Sequence, residues 1–131
     1  MRKLKVLNSA VDGAIMCNHM FEGLVKWVND GEGNAVTAPG QAESWEKTVN
    51  DDGTVTYAIK MRDGIKWSDG KDVTAGDFEY SWKRLVSPDT AADYNYMLDC
   101  VVNANEIIAG EKDPSELAVK AVDDKTFEVT L

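Results

Sequence analysis

The sequence holds one histidine, His19, and two cysteines, Cys17 and Cys100, and these scarcities remove several chemistries at once. Nucleophilic catalysis on the serine or cysteine pattern needs a base beside the nucleophile, most often histidine. His19 lies between Asn18 and Met20, away from any serine or cysteine signature, and reads as a surface or partly packed residue. Cys17 and His19 make a Cys-x-His pair, but a structural zinc site needs four ligands and no second pair stands at a finger-like spacing. No metal and no cofactor is expected. Two cysteines so far apart define no disulfide framework, and Cys17, on the apolar stripe of an expected helix, reads as a buried free thiol.

Basic residues are also few. Lysine and arginine number 14 against 23 acids, a net charge of -9, so the field of the chain repels phosphate backbones and anionic lipid. No nucleic acid partner is expected, and the acidity reads as solubility. Long hydrophobic runs are missing: nowhere do roughly 18 apolar residues follow one another, so nothing in the chain spans a membrane as a helix. Met1-Arg2-Lys3-Leu4-Lys5 has the basic character of a leader, but the residues after it lack an apolar stretch of roughly 7–15 residues, so no signal peptide is expected. Gly31-x-Gly33 lacks the third glycine and the following helix of a dinucleotide fingerprint, and reads as a flexible turn. Carboxylates are abundant, yet spacing alone cannot set two of them across a cleft, so a hydrolase fragment remains as the rival reading.

What is present is a chain of 131 residues, 44% hydrophobic, with the apolar residues spread along it, which implies one globular domain or a fragment of something larger. Asp12 can cap a helix over 13–24 whose buried stripe is Cys17, Met20, Phe21 and Leu24. Residues 29–40, with three glycines, two asparagines and Pro39, read as loop. Alternation over 45–49 and 55–61, joined by Asn50-Asp51-Asp52-Gly53, predicts a hairpin with Val55, Tyr57, Ile59 and Met61 on one face. Asp63-Gly64 and Ser68-Asp69-Gly70 turn on either side of Ile65-Lys66-Trp67, where Trp67 reads as a packing anchor.

Thr74-x-x-Asp77 is a capping signal, and Phe78, Trp82 and Leu85 give the following helix an apolar stripe that ends at Ser87-Pro88. A third helix is expected over 91–98 and a short fourth over 103–109, with Gly110 as its stop. A second hairpin pairs 119–122 with 126–131 around Asp123-Asp124-Lys125, and its last strand ends on an apolar residue, like a piece of a longer chain. Hairpins separated by a block of helices predict an α+β fold with a small antiparallel or mixed sheet and several helices. Four tryptophans and four tyrosines mostly serve the core. Tyr94 and Tyr96 are the exception: two apart on a helix, they diverge by about 200°, so one is free to line a ligand surface.

Several runs are specific when taken together. Met20-Phe21-Glu22-Gly23-Leu24-Val25, Ala42-Glu43-Ser44-Trp45-Glu46, Met61-Arg62-Asp63-Gly64-Ile65-Lys66-Trp67-Ser68-Asp69-Gly70, Val73-Thr74-Ala75-Gly76-Asp77-Phe78 and Tyr80-Ser81-Trp82-Lys83-Arg84-Leu85 follow one another in order. In sequence and spacing they resemble the bacterial extracellular solute-binding proteins of family 5, which include oligopeptide and dipeptide receptors. Asp113-Pro114-Ser115-Glu116-Leu117 and the run from Val119 through Phe127 to Val129 resemble the oligopeptide branch. Gly76 departs from the family pattern, which carries an acid there.

The resemblance implies a larger, two-lobed, monomeric receptor that closes over a peptide and delivers it to the permease of an ABC importer, without catalysis. It implies an extracytoplasmic place, either in the periplasm or as a lipoprotein on the cell surface. This chain would be the receptor's extra small domain, a single domain over 1–131 with 1–12 drawn from the adjoining lobe. Members of the family also carry dipeptides, nickel or other solutes. The residue that holds the peptide amino terminus lies beyond Leu131 in the family's order. Within this chain the expected ligand contacts are Ser9, Ala10 and Val11, running extended beside the peptide backbone, and Tyr94 or Tyr96 at a side-chain pocket. Most of both lobes lies outside these residues, so the isolated chain is expected to bind peptide weakly or not at all.

Overall fold

The computed structural model describes residues 10–131, and these form two antiparallel sheets and three α-helices. Helix α1 spans Val11–Met20, and strands β1 (Val25–Asn29) and β2 (Ala35–Pro39) pair as an isolated hairpin. Strands β3 (Ala42–Val49) and β4 (Val55–Met61) follow, then helix α2 (Ala75–Val86), helix α3 (Ala104–Ile108), and strands β5 (Val119–Ala121) and β6 (Thr126–Thr130). The second sheet has the order β3-β4-β6-β5, antiparallel throughout, and α2 packs against β5 and β6. The expected α+β class with an antiparallel sheet is what the chain adopts.

Alternation makes the larger sheet. Val49 pairs with Val55 across the Asn50–Gly53 turn, and Tyr57, Ile59 and Met61 face the core together with Phe127 and Val129 from β6. Phe127 is fully buried, with the Trp82 ring edge-on to it at 76° and a centroid separation of 5.3 Å, and the Phe78 ring centroid 6.0 Å away. α2 starts where the sequence puts it: the Thr74 N–H donates to the Asp77 carboxylate at 3.1 Å, and Gly76 does not displace the cap. It stops at Ser87, extended ahead of Pro88. Gly110, at φ 79°, ends the turn after α3, where only a residue without a Cβ reverses the chain at no steric cost.

Three expectations are corrected. The first helix begins at Val11 and ends at Met20, earlier at both ends than the capping and stripe patterns indicate. Ala10 takes the cap position, Asp12 sits inside the first turn, and Phe21 is extended. The carbonyls of Gly23 and Leu24 are drawn away to accept the N–H groups of Gln41 at 2.9 Å and of Gly40 and Ala42 at 3.0 Å. Cys17 is consequently half-buried on α1, which buries no residue fully.

Residues 29–40 are not all loop. Gly31, Gly33 and Asn34 occupy a short tip, where the Asp30 carboxylate accepts the Glu32 and Asn34 N–H groups at 2.8 and 3.1 Å, and the residues after it form β2. β2 buries no complete face, so it leaves no alternation to read. Residues 91–98 form no α-helix either. Ala91 is left-handed at φ 46°, and the chain makes separate single 3-10 turns at Pro88–Thr90 and Asn95–Leu98, with Leu98 as the buried anchor of the second.

Candidate functional site

Two exposed features can meet a ligand, and each is held by the core elements beside it. The first is a cleft of about 540 Å³ between the link from α1 to β1 and the loop that follows β4. Glu22 and Arg62 face each other across it, with Arg62 Nη2 donating to the Glu22 carboxylate at 2.6 Å, and Lys26 adds a second bond at 3.3 Å. Burial alone would raise the Glu22 carboxyl, but the hydrogen bonds and charges of Lys26 and Arg62 outweigh it and hold the group below the usual glutamate range. Gln41 fixes the back of the cleft by donating from Nε2 to the Glu22 carbonyl at 2.7 Å and accepting the Arg62 N–H on its own carbonyl at 2.9 Å.

The far wall is Trp67, half-buried as the anchor its flanking turns imply. Its indole Nε1 donates to Asp77 at 3.0 Å, and the same carboxylate oxygen accepts the Thr74 N–H, so the cap of α2 also orients the tryptophan. Lys66 pairs with Asp72 at 2.7 Å and Lys71 with Asp69 at 3.4 Å. Charges lining the cleft therefore balance in pairs. Exposed pairs of this kind are screened by water and salt and add little to the stability of the fold.

The second feature is the tyrosine pair. Tyr94 and Tyr96 both lie at the surface, with ring centroids 5.9 Å apart and planes tilted by 49°. The 200° divergence assumed an α-helix over both residues, whereas Tyr94 precedes the 3-10 turn with φ -103° and ψ 22°. Neither ring packs into the core. The turn that carries them rests on α2 and α3.

Ala10 is extended at φ -80° and ψ 142°, but Val11 is already the first residue of α1, because the Ala10 carbonyl accepts the Ala14 N–H at 3.0 Å and turns the chain. Ser9 lies outside the described residues. The structure therefore brings Tyr94 and Tyr96 together and places Ala10 and Val11 on a separate element. Sequence reasoning missed the Glu22–Arg62 pair. The two residues are 40 apart, and no local pattern signals such a meeting. Among the described residues no three His, Cys, Asp or Glu side chains gather as a metal site, and no helix is long and apolar enough to cross a membrane.

Known proteins match this chain in sequence and in fold. The periplasmic oligopeptide-binding protein OppA of Salmonella typhimurium is 48% identical over 114 residues, covering 86% of this chain and 20% of that protein. The probable deoxycholate-binding periplasmic protein YgiS of Escherichia coli is 46% identical over the same length, again 86% of this chain and 20% of the relative. The structure of Listeria monocytogenes OppA bound to peptide superposes with a TM-score of 0.86 at 43% identity, covering 98% of this chain and 24% of that one. This chain thus spans about a fifth of the length of the curated relatives it matches. Residues 37–131 match the family described as bacterial extracellular solute-binding proteins, family 5 Middle, and with these likenesses the chain belongs to that family.

Proposed function

We propose that this chain is a domain of an extracytoplasmic receptor that captures oligopeptides and hands them to the permease subunits of an ABC importer, with no catalysis of its own. The observation that carries this reading is the superposition, over nearly its whole length, on an OppA holding peptide. The receptor acts as a monomer, free in the periplasm or anchored as a lipoprotein. Ser9, Ala10 and Val11 lie beside the peptide backbone, and Tyr94 and Tyr96 border a side-chain pocket. Backbone hydrogen bonds ignore side-chain identity, which suits a receptor accepting many sequences. Paired aromatic faces with polar tips add adaptable contact area at low entropic cost.

The test is calorimetry on the full-length protein with a mixed oligopeptide library. Tyr94→Ala combined with Tyr96→Ala is expected to weaken binding about tenfold, equivalent to about 1.4 kcal/mol. Unchanged affinity would remove the tyrosines from the site, and no peptide binding by the wild-type receptor would remove the function. Residues 1–131 alone are expected to bind weakly or not at all. A second reading, a receptor of the same family for dipeptides, nickel or another solute, is favoured by the relative named as deoxycholate-binding. It is decided by which ligand produces heat in that titration.

A further inference from the structure

The chain contains five Asp-Gly dipeptides, Asp12-Gly13, Asp30-Gly31, Asp52-Gly53, Asp63-Gly64 and Asp69-Gly70, and no Asn-Gly. Asp-Gly is the sequence on which an aspartate is most open to attack by its own backbone, because glycine has no Cβ to shield the following nitrogen or to restrict the peptide. Attack needs three things: a glycine N–H that is not engaged, a carboxyl group that is not held, and a backbone free to turn the one toward the other.

Four of the five are tied down. The Gly31 N–H donates to Asn29 Oδ1 at 2.8 Å, the Gly53 N–H to the Asn50 carbonyl at 3.0 Å and the Gly70 N–H to the Trp67 carbonyl at 2.9 Å. In each case the aspartate also accepts the backbone N–H two residues on, Glu32 at 2.8 Å, Thr54 at 2.9 Å and Lys71 at 3.1 Å. The side chain of Asn34 holds the Asp30 carboxyl below the usual aspartate range, the side chain of Thr54 does so at Asp52, and the Lys71 N–H at Asp69. An ionised carboxylate has no leaving oxygen, so these bonds also suppress the reactive form. Asp12 lies in the first turn of α1, and a ring cannot close there without unwinding that turn.

Asp63-Gly64 differs on every count. Among the described residues the Gly64 N–H donates to no acceptor, and the Asp63 carboxylate accepts from no backbone N–H. The Asp63 side chain is 100% exposed and meets Lys125 Nζ at 3.5 Å. Gly64 stands at φ 74°, and a Cβ built on it would meet nothing within 4 Å, so there is room beside the peptide for a ring. The other turn glycines have the same room, which leaves the hydrogen bonds as the difference.

We infer that Asp63 is a site at which the folded chain modifies itself, converting to isoaspartate through a succinimide. The Gly64 nitrogen forms a bond to Asp63 Cγ, the C–O bond of the protonated carboxyl breaks, and its oxygen leaves as water with the amide proton. Water then adds back to the ring. Opening at Cγ restores aspartate, whereas opening at the main-chain carbonyl carbon leaves the chain running through Cγ with the α-carboxylate as its side group. Nothing is oxidised or reduced, and the water lost in the first step returns in the second. The product lengthens the backbone by one methylene inside a turn pinned at both ends, by the Arg62 N–H on the Gln41 carbonyl at 2.9 Å and by the Ile65 carbonyl accepting the Val73 N–H at 3.0 Å. Ile65 is buried, and Trp67 beyond it is the cleft wall, so the conversion loosens that wall. The inference does not depend on the receptor reading.

The test ages the full-length protein at neutral pH and physiological temperature and maps its peptides by chromatography with electron-transfer fragmentation, which cleaves at the extra backbone bond of an isoaspartate. Isoaspartate is expected at residue 63 at least about tenfold faster than at Asp30, Asp52 or Asp69, equivalent to about 1.4 kcal/mol in barrier. In guanidinium, where the holding bonds are gone, the four sites should react alike. Asp63→Glu keeps the charge but sets the carboxyl one methylene too far for the five-membered ring, and should remove the signal. The isoaspartyl form, separated from the parent, should exchange its Val73 amide faster, and an unchanged Val73 amide would overturn the loosening of the wall. Absence of isoaspartate at residue 63 in the folded protein, or equal accumulation at the four sites, overturns the inference. A lead at residue 63 that persists undiminished in guanidinium assigns the reactivity to the local sequence and overturns the structural cause.

Discussion

Replacing Phe127 by alanine removes the largest fully buried side chain among the described residues, from the point where β6 meets α2. The ring lies between Phe78 and Trp82, on a strand bonded to β4 on one side and β5 on the other, so the surrounding backbone has little freedom to collapse into the void. Large-to-small substitutions of buried aromatics cost about 3–5 kcal/mol, through lost transfer energy and the cavity left behind. Edge contacts such as that with Trp82 add about 0.5–1.5 kcal/mol to the wild-type side. Against a typical stability of about 5–15 kcal/mol the loss is a large share.

Urea unfolding followed by tryptophan fluorescence is the assay, because Trp67 and Trp82 pack on the same core. With a slope of about 1–3 kcal/mol per molar, the midpoint should fall by roughly 2 M. Phe127→Leu, which refills most of the volume, should lose clearly less and keeps the test readable if the alanine variant does not fold. Trp27→Ala in the 131-residue chain should stay within about 0.5 kcal/mol of wild type, since that ring is mostly exposed. A loss below about 1 kcal/mol for Phe127→Ala at an unchanged slope, or an equal loss at Trp27, would refute this account of where the stability lies.

Gly40→Ala should detach the hairpin strap without unfolding the domain: the new methyl would fall on the Gly23 carbonyl oxygen and within 3.0 Å of that of Leu24. Three backbone bonds of about 1 kcal/mol each are at stake, and faster exchange of the Gln41 and Ala42 amides with an unchanged core is the expected readout. Because Glu22 has its folded pKa depressed, the stability it contributes is present above the unfolded value, about 4.3, and is lost as pH falls through that value and below the folded one. Carboxyl titration by NMR should show Arg62→Ala shifting Glu22 upward, and an unmoved titration would deny the pair its electrostatic role.

Local rules of the chain were enough for the β3–β4 hairpin, the capped start and proline-marked end of α2, the stop at Gly110 and the β5–β6 hairpin. Each of these is encoded within a few neighbouring residues: alternation, a turn tetrapeptide, a cap three residues from its partner, a ring that fixes φ. The order of recognisable runs also carried the family, since a series of short matches in sequence is more specific than any one of them. Three outcomes needed the tertiary structure. The Gly23 and Leu24 carbonyls are taken up by partners near residue 40 in place of a longer first helix, the residues after a glycine-containing tip become a strand because β1 lies beside them, and Glu22 meets Arg62 across the cleft. In every such case the deciding partner lies many residues away, and a helical or strand period holds no information about a hydrogen bond or charge that arrives from elsewhere in the fold.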